Sequence, residues 1–407
     1  MTAPSLWKNR NFQLVFSASS FTNLGDGVLA VAFPWFATLL TRDPLLIGLV
    51  AAARQLPWLL FALPAGVLAD RFDRRNLILL ADACRLLLAL AAVALALSGA
   101  QGTGAVLLLT ALCFALGAAE VVRDNTAQSF LPNLVAKPQL EQANGLLWST
   151  EQLAGQFIGP PLAGYLIGFA IFLPFGIEAA FLALAIALIA AIRLPKAAAQ
   201  PRQAFGPALR EGLSWLWSHQ SLRRLALVLG AYNFIGSMFY ALLVLYAQDV
   251  LGLDAFGYGQ LMAIQAAGGL AASLAGPWIL RRIGSTLGLL SGLSAFTLCA
   301  AIMGASANFW LIAALLLAEA FGNMLWNIAS VSYRQRIIPD ALLGRVNAAF
   351  RFFGTGPSAL GSVAGGLVVV MGARLGQTAA LHLLYAVIAA LAASLLVYSA
   401  LRLRLIE

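Results

Sequence analysis

Ionisable side chains lie inside long apolar stretches of this chain of 407 residues. A charge at the centre of a membrane helix costs about 2.5–3.5 kcal/mol on insertion scales, so it usually pairs or lines water and marks a pathway. Two carboxyls, Asp26 and Glu319, lie near the middle of their stretches. A low-dielectric cavity disfavours the charged form of such a group, so we expect both to carry protons. The alternative is a carboxylate permanently paired with Arg54 or hydrogen-bonded to an asparagine.

Polar side chains recur at helical spacing around these two carboxyls. Asn23 lies one turn before Asp26, and Glu319 begins a stripe that continues along one helix face to Arg334. A stripe of this kind must face a cavity or another helix, because contact with lipid would be costly. The predicted substrate cavity is lined by Asn23, Arg54, Glu120, Asn233, Ser237, Tyr240, Asn323 and Asn327.

The composition determines which elements position these groups. Hydrophobic residues make up 61% of the chain and charged residues only 10%, whereas a soluble domain carries about 25% charged residues. Only helices or closed barrels cross lipid, and the apolar runs are long and do not alternate as barrel strands would. An all-α integral membrane protein is therefore expected. Its twelve predicted transmembrane helices, numbered as spans 1 to 12, lie at 12–40, 46–69, 76–98, 105–128, 144–170, 172–193, 222–247, 257–280, 286–304, 309–333, 346–371 and 377–401.

The basic residues fall almost entirely on one side of these spans. Of the 25 Lys and Arg, only Arg42 and Arg374 lie on the opposite side, and Arg54 and Arg85 lie within spans. Cytoplasmic loops carry the basic excess, so both termini are predicted to be cytoplasmic in a bacterial-type inner membrane. The net charge of +9 then reflects topology and contact with anionic membrane lipids, and no nucleic-acid partner is expected.

The chain is predicted to consist of two related halves, at 1–193 and 222–407. The linker at 194–221 is expected to contain an interfacial helix, or else a helix packed on the cytoplasmic ends of the bundle. Three short motifs of the first half recur in order in the second. Two pseudo-symmetric six-helix bundles of this kind place the substrate site near the bilayer midplane.

The loop after span 2 carries a glycine, an aspartate and three arginines: Gly66, Asp70, Arg71, Arg74 and Arg75. Gly66 is expected to permit close helix approach. The loop resembles the loop 2–3 signature of the major facilitator superfamily, in which Asp73 here replaces the usual second glycine. The resemblance implies the major facilitator fold and a gating role for these residues, with Asp70 helping to lock the two halves. Charges that only set the topology are the alternative.

Span 5 carries Gly155, Gly159 and Pro160 in a glycine- and proline-rich run. The two glycines form a face for close helix packing, and the proline bends the helix. The run resembles an element of superfamily members that export drugs by proton antiport, although a plain packing kink is the alternative.

Glu120, Arg123 and Asp124, near the inner end of span 4, are expected to form a local charge network or inner gate. Asp82 and Arg85 are expected to form a structural pair, and Glu178, near the outer end of span 6, is expected to reach the headgroups.

Further short motifs include Leu24-Gly25-Asp26 and Leu131-Pro132-Asn133. They resemble motifs in the branch of the superfamily that contains macrolide efflux proteins and the enterobactin exporter. The resemblance implies a secondary transporter that exports a small amphipathic molecule in exchange for protons by alternating access. We expect it to function as a monomer. An importer or facilitator of a small solute, a lysolipid flippase and a sensor without flux remain the alternatives. No phosphate-cradling loop, metal-ligand spacing or catalytic set is evident, so we expect no cofactor, no metal and no enzyme activity.

Overall fold

The computed structural model describes residues 6–192 and 213–403, which are almost entirely helical. Spans 1 to 4 are the helices Arg10–Leu40, Pro44–Arg71, Arg74–Leu97 and Thr103–Phe130. Span 5 is divided among Leu140–Thr150, Glu151–Ile158 and Gly159–Phe169, and span 6 is Leu173–Ala190. In the second half, the helices are Gln220–Ala241, Leu243–Asp249, Ala255–Met303, Phe309–Ile337, Asp340–Met371 and Gln377–Arg402.

Nine helices in these described ranges are long and apolar enough to cross a membrane, against twelve predicted spans. One difference arises in the 49-residue helix Ala255–Met303, which contains predicted spans 8 and 9. Its backbone breaks at Gly284, where φ is 77°. Glycine adopts this left-handed conformation without the steric cost that a side chain would add, so the chain turns there between two spans.

The other two differences arise in spans 5 and 11. Span 5 contains a π-helical segment, Glu151–Ile158, in which each turn is wider than in an α-helix. Pro160 and Pro161 follow it after Gly159, and neither has an N–H to donate back into the segment. Span 11 lies in the continuous helix Asp340–Met371, and its apolar part among the described side chains is Gly356–Met371.

Side-chain caps begin several of the helices. Asn9 Oδ1 accepts from the backbone N–H of Phe12 at 3.2 Å, and Asn9 Nδ2 donates to the carbonyl of Leu134 at 2.6 Å. One asparagine therefore both begins span 1 and ties it to the loop after span 4. Buried apolar residues of the same unit surround this end of the helix, including Leu6, Phe12 and Phe130.

The chain divides into two compact units. The first comprises Met1–Arg42, Ala53–Arg202 and Asp254–Ala263, and the second comprises Asp43–Ala52, Gln203–Leu253 and Ile264–Glu407. The predicted division into halves at 1–193 and 222–407 stays a prediction. Of the predicted linker, residues 194–212 lie outside the described part of the chain, and 213–218 are helical.

Candidate functional site

The first unit contains a cavity of about 690 Å³, within the range of small-molecule sites. Spans 1, 2, 4 and 5 supply its walls. The ionisable residues that line it are Asp26, Arg54, Glu120, Arg123, Asp124 and Glu151. Its uncharged polar residues include Ser19, Asn23, Gln128, Asn144 and Gln156, with Trp148 beside them. The structure therefore brings the predicted first-half residues Asn23, Asp26, Arg54 and Glu120 to one space, together with Arg123, Asp124 and Gly155.

Arg85 of span 3 is the cation that holds Asp26. One guanidinium nitrogen of Arg85, Nη2, donates to Asp26 Oδ1 and also, at 3.0 Å, to Glu178 Oε1 of span 6. The side chains of Arg85 and Glu178 are 1% and 0% exposed, whereas that of Asp26 is 20% exposed. Asp26 thus faces the cavity on one side and a sealed ion pair on the other.

A second set of charged side chains, around Arg123, adjoins the set formed by Asp26, Arg85 and Glu178. Arg123 Nη1 donates to Asp124 Oδ1 at 3.0 Å, and Arg123 Nε lies 3.8 Å from Asp82 Oδ1. Asp82 Oδ1 also lies 3.9 Å from Nη1 of Arg85. The expected pairs between Arg123 and Asp124 and between Asp82 and Arg85 are therefore both present, joined into one network by the fully buried Asp82.

Carboxyls outnumber cations in this part of the first unit. The carboxyls are Asp26, Asp82, Glu120, Asp124, Glu151 and Glu178, and the cations are Arg54, Arg85 and Arg123. Buried charges without a counter-ion are costly, so a surplus of carboxyls favours binding of protons or of a cationic group. A further space of about 10 Å³ lies between Asp26, Arg54, Arg85 and Glu120, about the room that one water molecule needs.

Two assignments from the sequence are corrected here. Arg54 lines the cavity with Asp26, but the ion pair of Asp26 is with Arg85. Glu178, expected near the headgroups, is instead completely buried against Arg85. Sequence reasoning missed Arg85 as the partner of Asp26 and Glu178 as a second carboxylate on the same guanidinium. The available signal was that Arg85, like Arg54, is a basic residue placed deep within a span and not near its end.

Spans 1 and 5 pack closely beside the cavity. A Cβ on Gly27 would overlap the backbone carbonyl of Gly155, and a Cβ on Gly159 would lie 2.7 Å from Gly27 Cα. Asn23 Nδ2 donates to Thr150 Oγ1 at 2.9 Å just before the π-helical segment. Gly155 and Gly159 therefore contact span 1, and Pro160 lies buried behind them.

The second unit holds the other predicted carboxyl in a closed setting. Glu319 is 1% exposed, and its Oε2 accepts from Tyr240 Oη at 2.8 Å and from Gln265 Nε2 at 3.2 Å. Gln265 also donates to Tyr240 Oη at 2.6 Å. Tyr240 was expected to line the substrate cavity. Here it fixes the orientation of Glu319.

A cavity of about 240 Å³ lies in the same unit. Its walls include Asn233, Asn323, Asn327, Ser330 and Arg334, so the part of the polar stripe of span 10 that follows Glu319 faces a cavity. Asn233 Nδ2 donates to the carbonyl of Gly354 at 2.9 Å. Ser237 is partly buried and does not line this cavity.

The predicted gating residues of the loop after span 2 have separate local settings. Arg75 donates to the carbonyls of Ile189 and Ala190 at the C-terminal end of span 6, a site that favours a cation. Arg74 Nε donates to the carbonyl of Ala69 at 3.4 Å, and Arg71 is exposed.

Gly66 and Asp70 belong to the same loop. No atom of the described residues lies within 4 Å of a Cβ built on Gly66, so none of these residues makes the expected close helix approach there. The side chain of Asp70 lies outside the described part of the structure.

Comparisons with known proteins agree with this architecture. The family described as "Transmembrane secretion effector", of the major facilitator superfamily, matches residues 2–407. The multidrug efflux pump Tap of Mycobacterium tuberculosis is 32% identical over 224 residues, covering 53% of each chain. The chain thus spans about half the length of these curated relatives. The MFS-type transporter YkuC of Bacillus subtilis is 27% identical over 374 residues, covering 84% of this chain and 81% of that protein.

Solved structures share the fold at low identity. A bacterial homologue of the human lysosomal transporter Spinster superposes with a TM-score of 0.77 at 13% identity, covering 99% of this chain and 98% of that one. A bacterial homologue of the iron transporter ferroportin gives 0.75 at 18% identity, covering 98% and 99%. The nucleoside transporter NupG gives 0.75 at 16% identity, covering 97% and 99%.

The family match over nearly the whole chain, together with the shared fold, identifies a polytopic membrane transporter. The chain belongs to the major facilitator superfamily, in its transmembrane secretion effector family. The fold expected from the sequence, an all-helical membrane protein of the major facilitator type, is therefore confirmed.

Proposed function

We propose that the protein exports a small amphipathic compound, such as a drug, siderophore or other natural product, by proton antiport and alternating access. The observation that carries the proposal is the position of Asp26, which lines the 690 Å³ cavity and also pairs with the buried Arg85. The resemblance of half of the chain to a multidrug efflux pump supports export. The protein acts as a monomer in a bacterial cytoplasmic membrane, with both termini in the cytoplasm.

Asp26 couples protons to cargo through Arg85. When Asp26 takes a proton from the cavity, its bond to Arg85 weakens, and Arg85 keeps Glu178 as its counter-ion. When Asp26 releases the proton, it returns to Arg85 and offers a negative charge to the cavity. Cargo and proton therefore compete for the same side chain, which is the requirement for exchange.

Glu319 is the second proton carrier. Tyr240 and Gln265 hold its Oε2, whereas its Oε1 is buried and has no hydrogen-bond partner among the described residues. A protonated Glu319 avoids the cost of a buried, unpaired charge. The gating role inferred for Gly66, Asp70, Arg71, Arg74, Arg75, Arg123, Asp124, Gly155, Gly159 and Pro160 remains part of this proposal.

The test uses full-length protein in liposomes with an imposed pH gradient and a panel of antibiotics, siderophores and lysolipids. Gradient-driven movement of a compound opposite to protons is the expected result for wild type. Asp26→Asn and Glu319→Gln should each abolish coupling, and the exposed Glu141→Gln variant should retain it.

Each alternative gives a different result in this assay. Compound movement that ignores the gradient identifies a facilitator, and movement of lysolipids alone identifies a flippase. Unchanged coupling in both Asp26→Asn and Glu319→Gln would exclude these two residues as proton carriers.

A further inference from the structure

Three buried polar side chains converge on the 240 Å³ cavity of the second unit without partners. Tyr232, Trp326 and Ser330 all line it, and each is at most 5% exposed. The tyrosine hydroxyl, the indole Nε1 and the serine hydroxyl have no hydrogen-bond partner among the described residues. Buried polar groups are nearly always paired in native proteins, so three such atoms around one space indicate a missing ligand or ordered water.

The chemistry of these three atoms indicates that the missing ligand accepts hydrogen bonds. An indole N–H only donates, so the atom that meets Trp326 must accept a hydrogen bond. Serine and tyrosine hydroxyls donate as well, and the amides of Asn323 and Asn327 add further donors from the same wall. A ligand rich in oxygen acceptors satisfies all of them.

The charge at the cavity favours an anionic acceptor. Arg334 lines the wall, with its guanidinium carbon 4.7 Å from the ring centroid of Phe350. No carboxylate lines the cavity among the side chains that the structure describes. The first-unit cavity has the opposite character, because carboxyls predominate there. An anionic group would be repelled in the first cavity and attracted in the second.

We propose that the second-unit cavity is a binding subsite for a carboxylate or phosphate group of the transported compound, held by Tyr232, Trp326, Ser330 and the positive charge of Arg334. A guanidinium suits both groups, because its planar donors match their oxygens. This inference rests on the proposed transport function and specifies part of the cargo. A lipid headgroup is the other source of the same chemistry.

The test measures thermal unfolding of the purified full-length protein in an uncharged detergent. The probes are benzoate, benzamide and benzylamine, which differ in charge but little in size, together with phenyl phosphate and dihexanoyl phosphatidylglycerol. Benzoate or phenyl phosphate should stabilise the protein saturably, and benzylamine should not. Trp326→Phe keeps the ring but removes the donor, and should raise the apparent Kd for that probe about tenfold.

Trp310→Phe is the matched control, because Trp310 is 75% exposed and outside the cavity. Its Kd should equal that of wild type. Stabilisation by benzylamine to the same extent, or an equal Kd in Trp326→Phe, would overturn the subsite. If no anion raises the unfolding temperature, water alone fills the cavity and the subsite is refuted. Saturation by the lipid alone would assign the subsite to a headgroup and not to cargo.

The liposome assay separates this inference from the proposed function. Antiport that persists when no anion binds would refute the subsite alone. Anion binding that depends on Trp326, in a protein without proton-driven flux, would refute antiport alone.

Discussion

Gly25 of span 1 lies directly against the carboxyl group of Glu178 in span 6, so closely that a Cβ on Gly25 would overlap Glu178 Oε2. The absence of a side chain at this position lets Glu178 reach Arg85 at 3.0 Å. Gly25 immediately precedes Asp26, which binds the same guanidinium nitrogen. The two carboxyls therefore share Arg85 because residue 25 is glycine.

Gly25→Ala should displace Glu178 from Arg85 and lower the free energy of unfolding. The expected loss is about 1–3 kcal/mol, the range for overpacking a close contact. Unfolding in mixed micelles measures it. Gly176→Ala, in the same helix as Glu178, is the control, because no described atom lies within 4 Å of its Cβ. It should be neutral or slightly stabilising. Equal stability of the two variants would contradict the tight fit at Gly25.

Arg85→Met should destabilise the protein strongly. Removing one partner of a buried ion pair costs about 3–5 kcal/mol, because it leaves an uncompensated charge. Adding Glu178→Gln to Arg85→Met should recover part of that loss, and a double-mutant cycle gives the coupling energy. Arg374→Met, at an exposed residue, should change stability by about 0.5 kcal/mol or less. Strict additivity of Arg85→Met and Glu178→Gln would show that the two groups are not coupled.

Gly27→Ala should impair packing and transport together. The added methyl would meet the backbone carbonyl of Gly155, which cannot swing away as a side-chain end can. Spans 1 and 5 must then separate, at a cost of about 1–3 kcal/mol. Unfolding and flux measured on the same preparation test the effect. Gly168→Ala, also in span 5, has no described atom within 4 Å of its Cβ and should behave as wild type. Wild-type flux in Gly27→Ala would show that the close approach of these helices is dispensable.

Asp73 explains how the loop after span 2 departs from the family signature. Its Oδ1 accepts from the backbone N–H of Asn76 at 2.9 Å and begins the helix of span 3. Its φ of −61° requires no glycine. Asp73→Ala should therefore cost about 1 kcal/mol of stability and Asp73→Gly only a few tenths. Thermal unfolding of both variants tests whether the alanine variant loses more stability than the glycine variant. A larger loss in the glycine variant would contradict the capping role.

The amino-acid sequence alone determined the class of this protein and where its charges fall along the predicted spans. Apolar length and the one-sided distribution of Lys and Arg act locally, residue by residue, so they predicted the helices and the position of Asp26 and Glu319 near the middle of their spans. The helical period likewise predicted that Asn323 and Asn327 share a face. These features need no knowledge of which helix is next to which.

Only the tertiary structure decided which charged side chains pair with one another. Arg85 is separated from Asp26 by 59 residues and from Glu178 by 93. Their meeting depends on the relative rotation of three helices about their axes. A sequence period shows which residues share a face of one helix, but not which neighbour that face meets. The π-helical segment of span 5 also changes the rotation of the residues that follow it. Arg85, rather than Arg54, is therefore the counter-ion of Asp26, because helix packing and not distance along the chain sets the contact.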